Sequence, residues 1–168
     1  MIAQWGFEAG LGDWYTYADG DASHVVDVVD GALCSDIISP GQNSWDLTMR
    51  HDGIPLSANT LYMLTFDIST TVDRNISFQL RQNTGAKSAY IYSTRPLKSG
   101  TQSVEIEIWQ HTNDTDASLR FWSGGQATGE ICLDNILLTA VDTFVPSLDS
   151  ADSASACLLY TSPSPRDS

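Results

Sequence analysis

Residues 61–83, LYMLTFDISTTVDRNISFQLRQN, constrain the fold more than any other part of the chain. Their second half alternates without a break, with Ile76, Phe78 and Leu80 against Asn75, Ser77, Gln79, Arg81 and Asn83. Successive side chains of a β-strand point to opposite sides, so this period of two specifies a strand with one apolar and one polar face. The first half places Tyr62, Leu64, Phe66 and Ile68 inward and Thr65 and Asp67 outward, and it reads as the neighbouring strand. The polar residues 69–74 then read as the turn between the two. The polar row of the second strand holds amides, a hydroxyl and an Arg rather than the Lys, Glu and Thr of a face meant only for water. Such short-range hydrogen-bonding groups suit a ligand covered in hydroxyls, and they also suit an ordinary solvated strand. This strand alone leaves both readings open.

The rest of the chain follows the same grammar. Residues 2–8 read as a short strand ended at Gly10 and Gly12, and Asp13–Tyr17 is a dense aromatic cluster, DWYTY. Residues 24–29 form an apolar strand, and Asp30-Gly31 is a hairpin signal leading into residues 32–38. After the loop SPGQNS, residues 45–52 alternate Trp45, Leu47 and Met49 against Asp46, Thr48, Arg50 and Asp52, with Asp52-Gly53 as the end of the strand. Beyond Asn83, TGAKS leads to Tyr90-Ile91-Tyr92, and residues 95–101 read as a turn. Residues 103–109 set Val104, Ile106 and Ile108 against Glu105, Glu107 and Trp109. HTNDTDA reads as a loop, residues 118–122 set Leu119 and Phe121 against Ser118, Arg120 and Trp122, and residues 130–138 close as a last strand. No helical period appears, and short strands with turns at fairly regular spacing indicate an all-β sandwich.

With 168 residues, 42% hydrophobic and 10% aromatic, the chain supports one well-buried core. No apolar run approaches the roughly 20 residues needed to cross a bilayer as a helix. A net charge of −13 argues against nucleic acid or an anionic membrane as partner, and it fits an extracellular or cation-binding protein. MIAQWGFE offers neither the charged nor the apolar region of a signal peptide. Composition changes at residue 145, where PSLDSADSASA reads as a linker over residues 145–156 behind a module spanning 1–144. The following CLLYTSPSPRD resembles the translated end of a transposase-type sequencing adapter, so residues 157–168 are expected to be foreign and Cys157 is left out of the cysteine count. Cys34 and Cys132 remain, an even pair consistent with one disulfide in an oxidising compartment.

Three strands repeat one motif, an apolar row backed by a polar row that contains Arg: Thr48/Arg50/Asp52, Ser77/Gln79/Arg81/Asn83 and Ser118/Arg120/Trp122. If they lie in one sheet, the polar rows form a continuous surface with Trp122 exposed on it. Such a surface fits a sugar, whose apolar C–H face packs on an aromatic ring while its hydroxyls meet amides.

The segments WGFEAGLGDWYTY, DGALCSDI, NSWDLTMRHDGIPL, LYMLTFDISTTVDRNISFQLRQ, SLRFWSGG and ICLDNILL, in this order from Trp5 to Thr139, resemble carbohydrate-binding modules of the family 4 and 9 type. The resemblance implies a β-jelly roll of two antiparallel sheets. It further implies a non-catalytic module that binds β-glucan or xylan in a cleft on the concave sheet and is attached to a secreted glycoside hydrolase. Carried over by position, the cleft aromatic is Tyr17, and the polar cleft positions are Arg50, Asp52, Ser77, Gln79, Arg81, Asn83, Ser118 and Arg120, with Trp122. Cys34 and Cys132 resemble the family's disulfide. Glu8, the backbone of Gly6 and Asp134 resemble its structural Ca²⁺ site. Trp122 stands where a polar residue is common in the glucan-binding members, and the second cleft aromatic aligns with neither Tyr90 nor Tyr92 cleanly.

Two other function classes compete. VEIEIWQ resembles the carboxylate motif of laminarinase-type hydrolases, which would make Glu105 and Glu107 a catalytic pair, although Gln110 stands where a third carboxylate belongs. The same glutamates also fit a plain solvated face. A cell-surface adhesion domain shares the sandwich architecture. His24, His51 and His111 are scattered without metal spacing or a nucleophile partner, and nothing calls for an obligate partner chain, so the isolated module is expected to be a monomer.

Overall fold

The computed structural model describes residues 3–143, and the expected linker at 145–156 and foreign tail at 157–168 lie outside them. The described residues form strands β1 (Ala3–Trp5), β2 (Tyr15–Ala18), β3 (Ser23–Val29), β4 (Ala32–Ser39), β5 (Leu47–Leu56) and β6 (Thr60–Thr70). They continue with β7 (Arg74–Gln82), β8 (Ala89–Leu97), β9 (Gly100–Gln110), β10 (Asp114–Trp122) and β11 (Gly129–Thr143). One antiparallel sheet runs β3-β4-β11-β6-β9 with β1 also on β11, and the other runs β2-β5-β10-β7-β8. Among the described residues only the β3–β4 and β7–β8 links stay within a sheet; the others cross between sheets, giving the expected all-β jelly-roll sandwich.

The alternation read in the sequence builds the core. Phe66 of β6 meets Phe78 of β7 and Phe121 of β10 edge-on, with ring centroids 5.2 and 5.0 Å apart. Leu33, Leu64, Ile68, Leu80 and Leu119 close around them without measurable exposure. Burial of each such side chain contributes about 1.5–3 kcal/mol. At one end Trp14 packs against Trp5, Phe7 and His51. Cys34 and Cys132 face each other across β4 and β11 and are joined by a disulfide with a Cα–Cα distance of 4.0 Å.

Five local expectations are corrected. β6 and β7 are not a hairpin: β6 pairs with β11 and β9, β7 with β10 and β8, and residues 71–73 carry the chain from one sheet to the other. Alternation fixes which face of a strand is apolar but not its partner, and these two strands meet through that face. Trp45 does not begin the strand, because Ser44–Asp46 is a 3₁₀ turn and β5 starts at Leu47. The Asp46 carboxylate accepts from the N–H groups of Gln42 and Asn43, both at 3.0 Å, and so pins the loop and turns Trp45 outward. Asp52-Gly53 does not end β5, since an irregular register against β10 lets it continue to Leu56. Residues 95–101 are mostly strand, with β8 reaching Leu97 and β9 beginning at Gly100, and HTNDTDA is loop only as far as Asn113, since β10 begins at Asp114.

Candidate functional site

The outer face of the β2-β5-β10-β7-β8 sheet brings the three polar rows together, with β10 at its centre. Arg120 stands opposite Arg50 on one side and Gln79 on the other. Tyr15, opposite Arg50, and Tyr92, opposite Gln79, extend this row to all five strands. One pleat along, Trp122 stands between Thr48 and Ser77, with Tyr17 and Thr94 at the row's ends. One pleat the other way, Ser118 faces Arg81 and donates to Asp52 at 2.6 Å. Tyr17, Arg50, Asp52, Gln79, Arg81, Asn83, Arg120 and Trp122 therefore share one surface.

The rows are sunken rather than wet. Thr48, Ser77, Gln79, Ser118 and Arg120 are all buried although they point away from the core, Gln79 at 4% and Arg120 at 7% exposure. Arg50 fastens the floor: its Nε and Nη2 donate to the two oxygens of Asp52 at 3.1 and 2.7 Å, and its Nη2 also donates to Asn83 Oδ1 at 3.0 Å. Its guanidinium lies 4.8 Å from the centre of the Tyr15 ring, and the Tyr15 hydroxyl donates to Asp52 at 2.8 Å. Burial disfavours the Asp52 charge, but hydrogen bonds from Arg50, Ser118 and Tyr15 overcome it and hold the carboxyl at about 2. Burial likewise works against the Arg50 charge, and its bonds to Asp52 and Tyr17 outweigh that and raise its pKa. Arg120 donates to Ser118 Oγ at 2.9 Å and Asn83 Oδ1 at 3.2 Å. Two buried polar atoms in these rows have no protein partner among the described residues: Gln79 Oε1 and Arg81 Nε.

Trp122 lies between two further rings, Trp45 at 6.2 Å and Tyr92 at 5.8 Å, both nearly perpendicular to it. Trp45 and Tyr92 are about half exposed, at 51% and 53%, so an aromatic line crosses the sheet and opens to solvent. The Gly124 N–H donates to Ser44 O at 2.9 Å, and a Cβ at Gly124 would stand 2.5 Å from Asn43 O. This close backbone approach sets the Trp45 loop beside the end of β10. Tyr90 belongs elsewhere, packed against the core with its hydroxyl donating to Asp114 at 2.7 Å.

Tyr15 and Trp45 are the members of this surface that sequence reasoning missed. Tyr15 carried a usable signal, two residues before Tyr17 in a strand-like period. Trp45 carried none, because alternation with Leu47 and Met49 placed it inward. Glu105 and Glu107 are exposed on β9, on the other sheet and away from the polar rows.

The expected metal ligands approach one end of the other sheet. The Glu8 carboxylate lies against Gly31 in the β3–β4 turn, so closely that a Cβ there would overlap it. Asp134 and Ala32 line one cavity of about 180 Å³, and Asp134 accepts from the N–H of Asn135 at 2.8 Å. Carboxylate oxygens are hard donors of the kind Ca²⁺ takes, so Glu8 and Asp134 could hold the ion. Among the described residues, Cys34, Glu130 and Cys132 form the one compact group of three ligand-type side chains, and its sulfurs are spent on the disulfide.

Known proteins share this fold and much of this sequence pattern. Endoglucanase C of Cellulomonas fimi is 23% identical over 155 residues, which cover 89% of this chain and only 14% of that protein. The N-terminal cellulose-binding domain of Cellulomonas fimi β-1,4-glucanase C superposes with a TM-score of 0.68 at 20% identity, over 85% of this chain and 98% of that one. The CBM22-1 xylan-binding domain of Paenibacillus barcinonensis Xyn10C gives a TM-score of 0.59 at 12% identity, over 85% of this chain and 96% of that one. Residues 1–129 match the family model of the carbohydrate binding domain, CBM_4_9. The chain belongs to that family and is a carbohydrate-binding module.

Proposed function

We propose that this module is non-catalytic and binds a β-linked polysaccharide, β-glucan or xylan, along the outer face of the β2-β5-β10-β7-β8 sheet. The observation that carries the reading is the aromatic line Trp45–Trp122–Tyr92 standing beside sunken rows of Arg, Gln, Ser and Asn. A pyranose laid on Trp122 covers roughly 50–100 Å² of apolar surface, which contributes about 1–2.5 kcal/mol. Each neutral hydrogen bond from the floor adds about 0.5–1.5 kcal/mol net, so several sugar units must be engaged together. The orphaned Gln79 Oε1 is an acceptor suited to a sugar hydroxyl. Two structural relatives, a cellulose-binding domain and a xylan-binding domain, support the same ligand class.

In this reading the module is a monomer tethered to the catalytic domain of an extracellular glycoside hydrolase. The disulfide and the net charge of −13 fit that setting. Ca²⁺ held by Glu8, Asp134 and the Gly6 backbone would tie the loop after β1 to β11. Retention on a panel of insoluble and soluble polysaccharides tests the proposal. Binding without released sugar is expected. Released product would make the protein a hydrolase, and absence of both would leave an adhesion domain.

A further inference from the structure

The cleft floor carries more positive charge than neutral sugars require. Of the eight Lys and Arg residues in a chain of net charge −13, three converge on it: Arg50, Arg81 and Arg120. Arg50 is neutralised by Asp52 at 2.7 Å. Arg120 is 7% exposed, yet its hydrogen bonds go only to the neutral Ser118 and Asn83. Arg81 makes no hydrogen bond or ion pair among the described residues, and its Nε is buried without a partner. Asp116 sits nearby, but it accepts from Asn83 at 3.1 Å rather than from either guanidinium. Burial first, then the charges of Arg50 and Arg81, depress the Arg120 pKa, and the opposing pull of Tyr17 and Asp52 does not cancel them. A buried cation without a direct ion-pair partner is costly, and neutral amides would serve sugar hydroxyls without that cost.

We propose that the ligand carries carboxylates, as uronic-acid branches on a β-linked backbone, and that one such carboxylate seats between Arg81 and Arg120. The inference rests on the polysaccharide reading above and specifies its chemistry. The aromatic line crosses the strands from Trp45 to Tyr92. Arg120 lies two residues from Trp122 along β10, about 7 Å, and Ser118 opposite Arg81 lies about 14 Å from it. The line ends at Tyr92, in the row of Gln79 and Arg120, so it is a backbone stacked on Trp45 and Trp122 that leaves Arg81 and Arg120 to a branch pointing along β10 and β7. Two guanidinium forks then meet the planar carboxylate with charge-assisted hydrogen bonds, which neutral hydroxyls cannot supply.

Isothermal titration with glucuronoxylan, the same polymer after carboxyl reduction, and polymannuronate tests the inference. Glucuronoxylan is expected to bind at least about tenfold tighter than its reduced form. Raising NaCl to about 0.5 M should shrink that preference, and Arg81→Gln should bring the ratio of the two affinities towards one. Equal affinity for the native and reduced polymers overturns the carboxylate assignment while the polysaccharide reading stands. Tighter binding of polymannuronate moves the carboxylate to the backbone and overturns the branch. Binding to none of these and to no neutral glucan overturns both.

Discussion

Asp52 is the residue on which the polar rows turn, because it ties Tyr15 of β2, Arg50 of its own strand and Ser118 of β10 to one carboxylate. Its pKa of about 2 in the fold, against an ordinary 3.8, corresponds to about 2 kcal/mol of stability. The folded value is the depressed one, so this contribution is complete above about pH 4 and is lost as pH falls through about 2. Asp52→Asn should therefore cost about 1–3 kcal/mol at neutral pH and flatten the acid limb of the stability curve. Urea denaturation of both proteins at a series of pH values checks this, and an unchanged acid limb would count against the network. At this scale the sequence was informative wherever a residue obeyed strand parity. Arg50, Gln79, Arg81, Arg120 and Trp122 were all assigned to the right face because each alternates with core residues. Trp45 was not, because its position depends on the side chain of Asp46 holding a loop, and a parity pattern does not register that.

The elements show why pairing was harder to read than facing. β6 and β7 are consecutive and both amphipathic, and each keeps its apolar side inward, so either could have formed a hairpin from pattern alone. The short link at residues 71–73 instead carries the chain across the core. The β3–β4 hairpin was legible because its turn chemistry is local: Asp30 and Gly31 have φ of 52° and 78°, the pair of positive values a tight hairpin turn demands. Gly31→Ala adds a Cβ to a left-handed backbone, at φ of 78°, and makes the exposed Glu8 carboxylate swing aside. A loss of about 1–2 kcal/mol or more is expected in thermal melts. The disulfide joins β4 to β11 across 98 residues of chain, and in the chain-entropy model its removal costs up to about 4.7 kcal/mol. Melts of Cys34→Ser/Cys132→Ser beside the parent protein measure this, and an unchanged Tm would show that strand pairing alone holds the sheet.

For the molecule as a whole, the sandwich separates two sets of groups. One sheet carries the disulfide and the candidate Ca²⁺ ligands, and the other presents aromatic rings and polar rows. If Ca²⁺ binds at Glu8 and Asp134, chelation should lower Tm and re-addition restore it, by about 2.7 kcal/mol with the ion at 100 times its Kd. No change on chelation, with no metal found after dialysis, would remove the ion from the account. The separation also fixes the central test. Trp122 faces away from the core between Trp45 and Tyr92, while Glu105 lies exposed on the opposite sheet. The most direct measurement is a calorimetric titration of the parent protein, Trp122→Ala and Glu105→Gln with a polysaccharide retained in the panel, beside melts of all three. Trp122→Ala is expected to weaken binding by about tenfold or more with little change in Tm, and Glu105→Gln to bind like the parent. Undiminished affinity in Trp122→Ala, or loss of binding in Glu105→Gln, would contradict a binding surface on the β2-β5-β10-β7-β8 sheet.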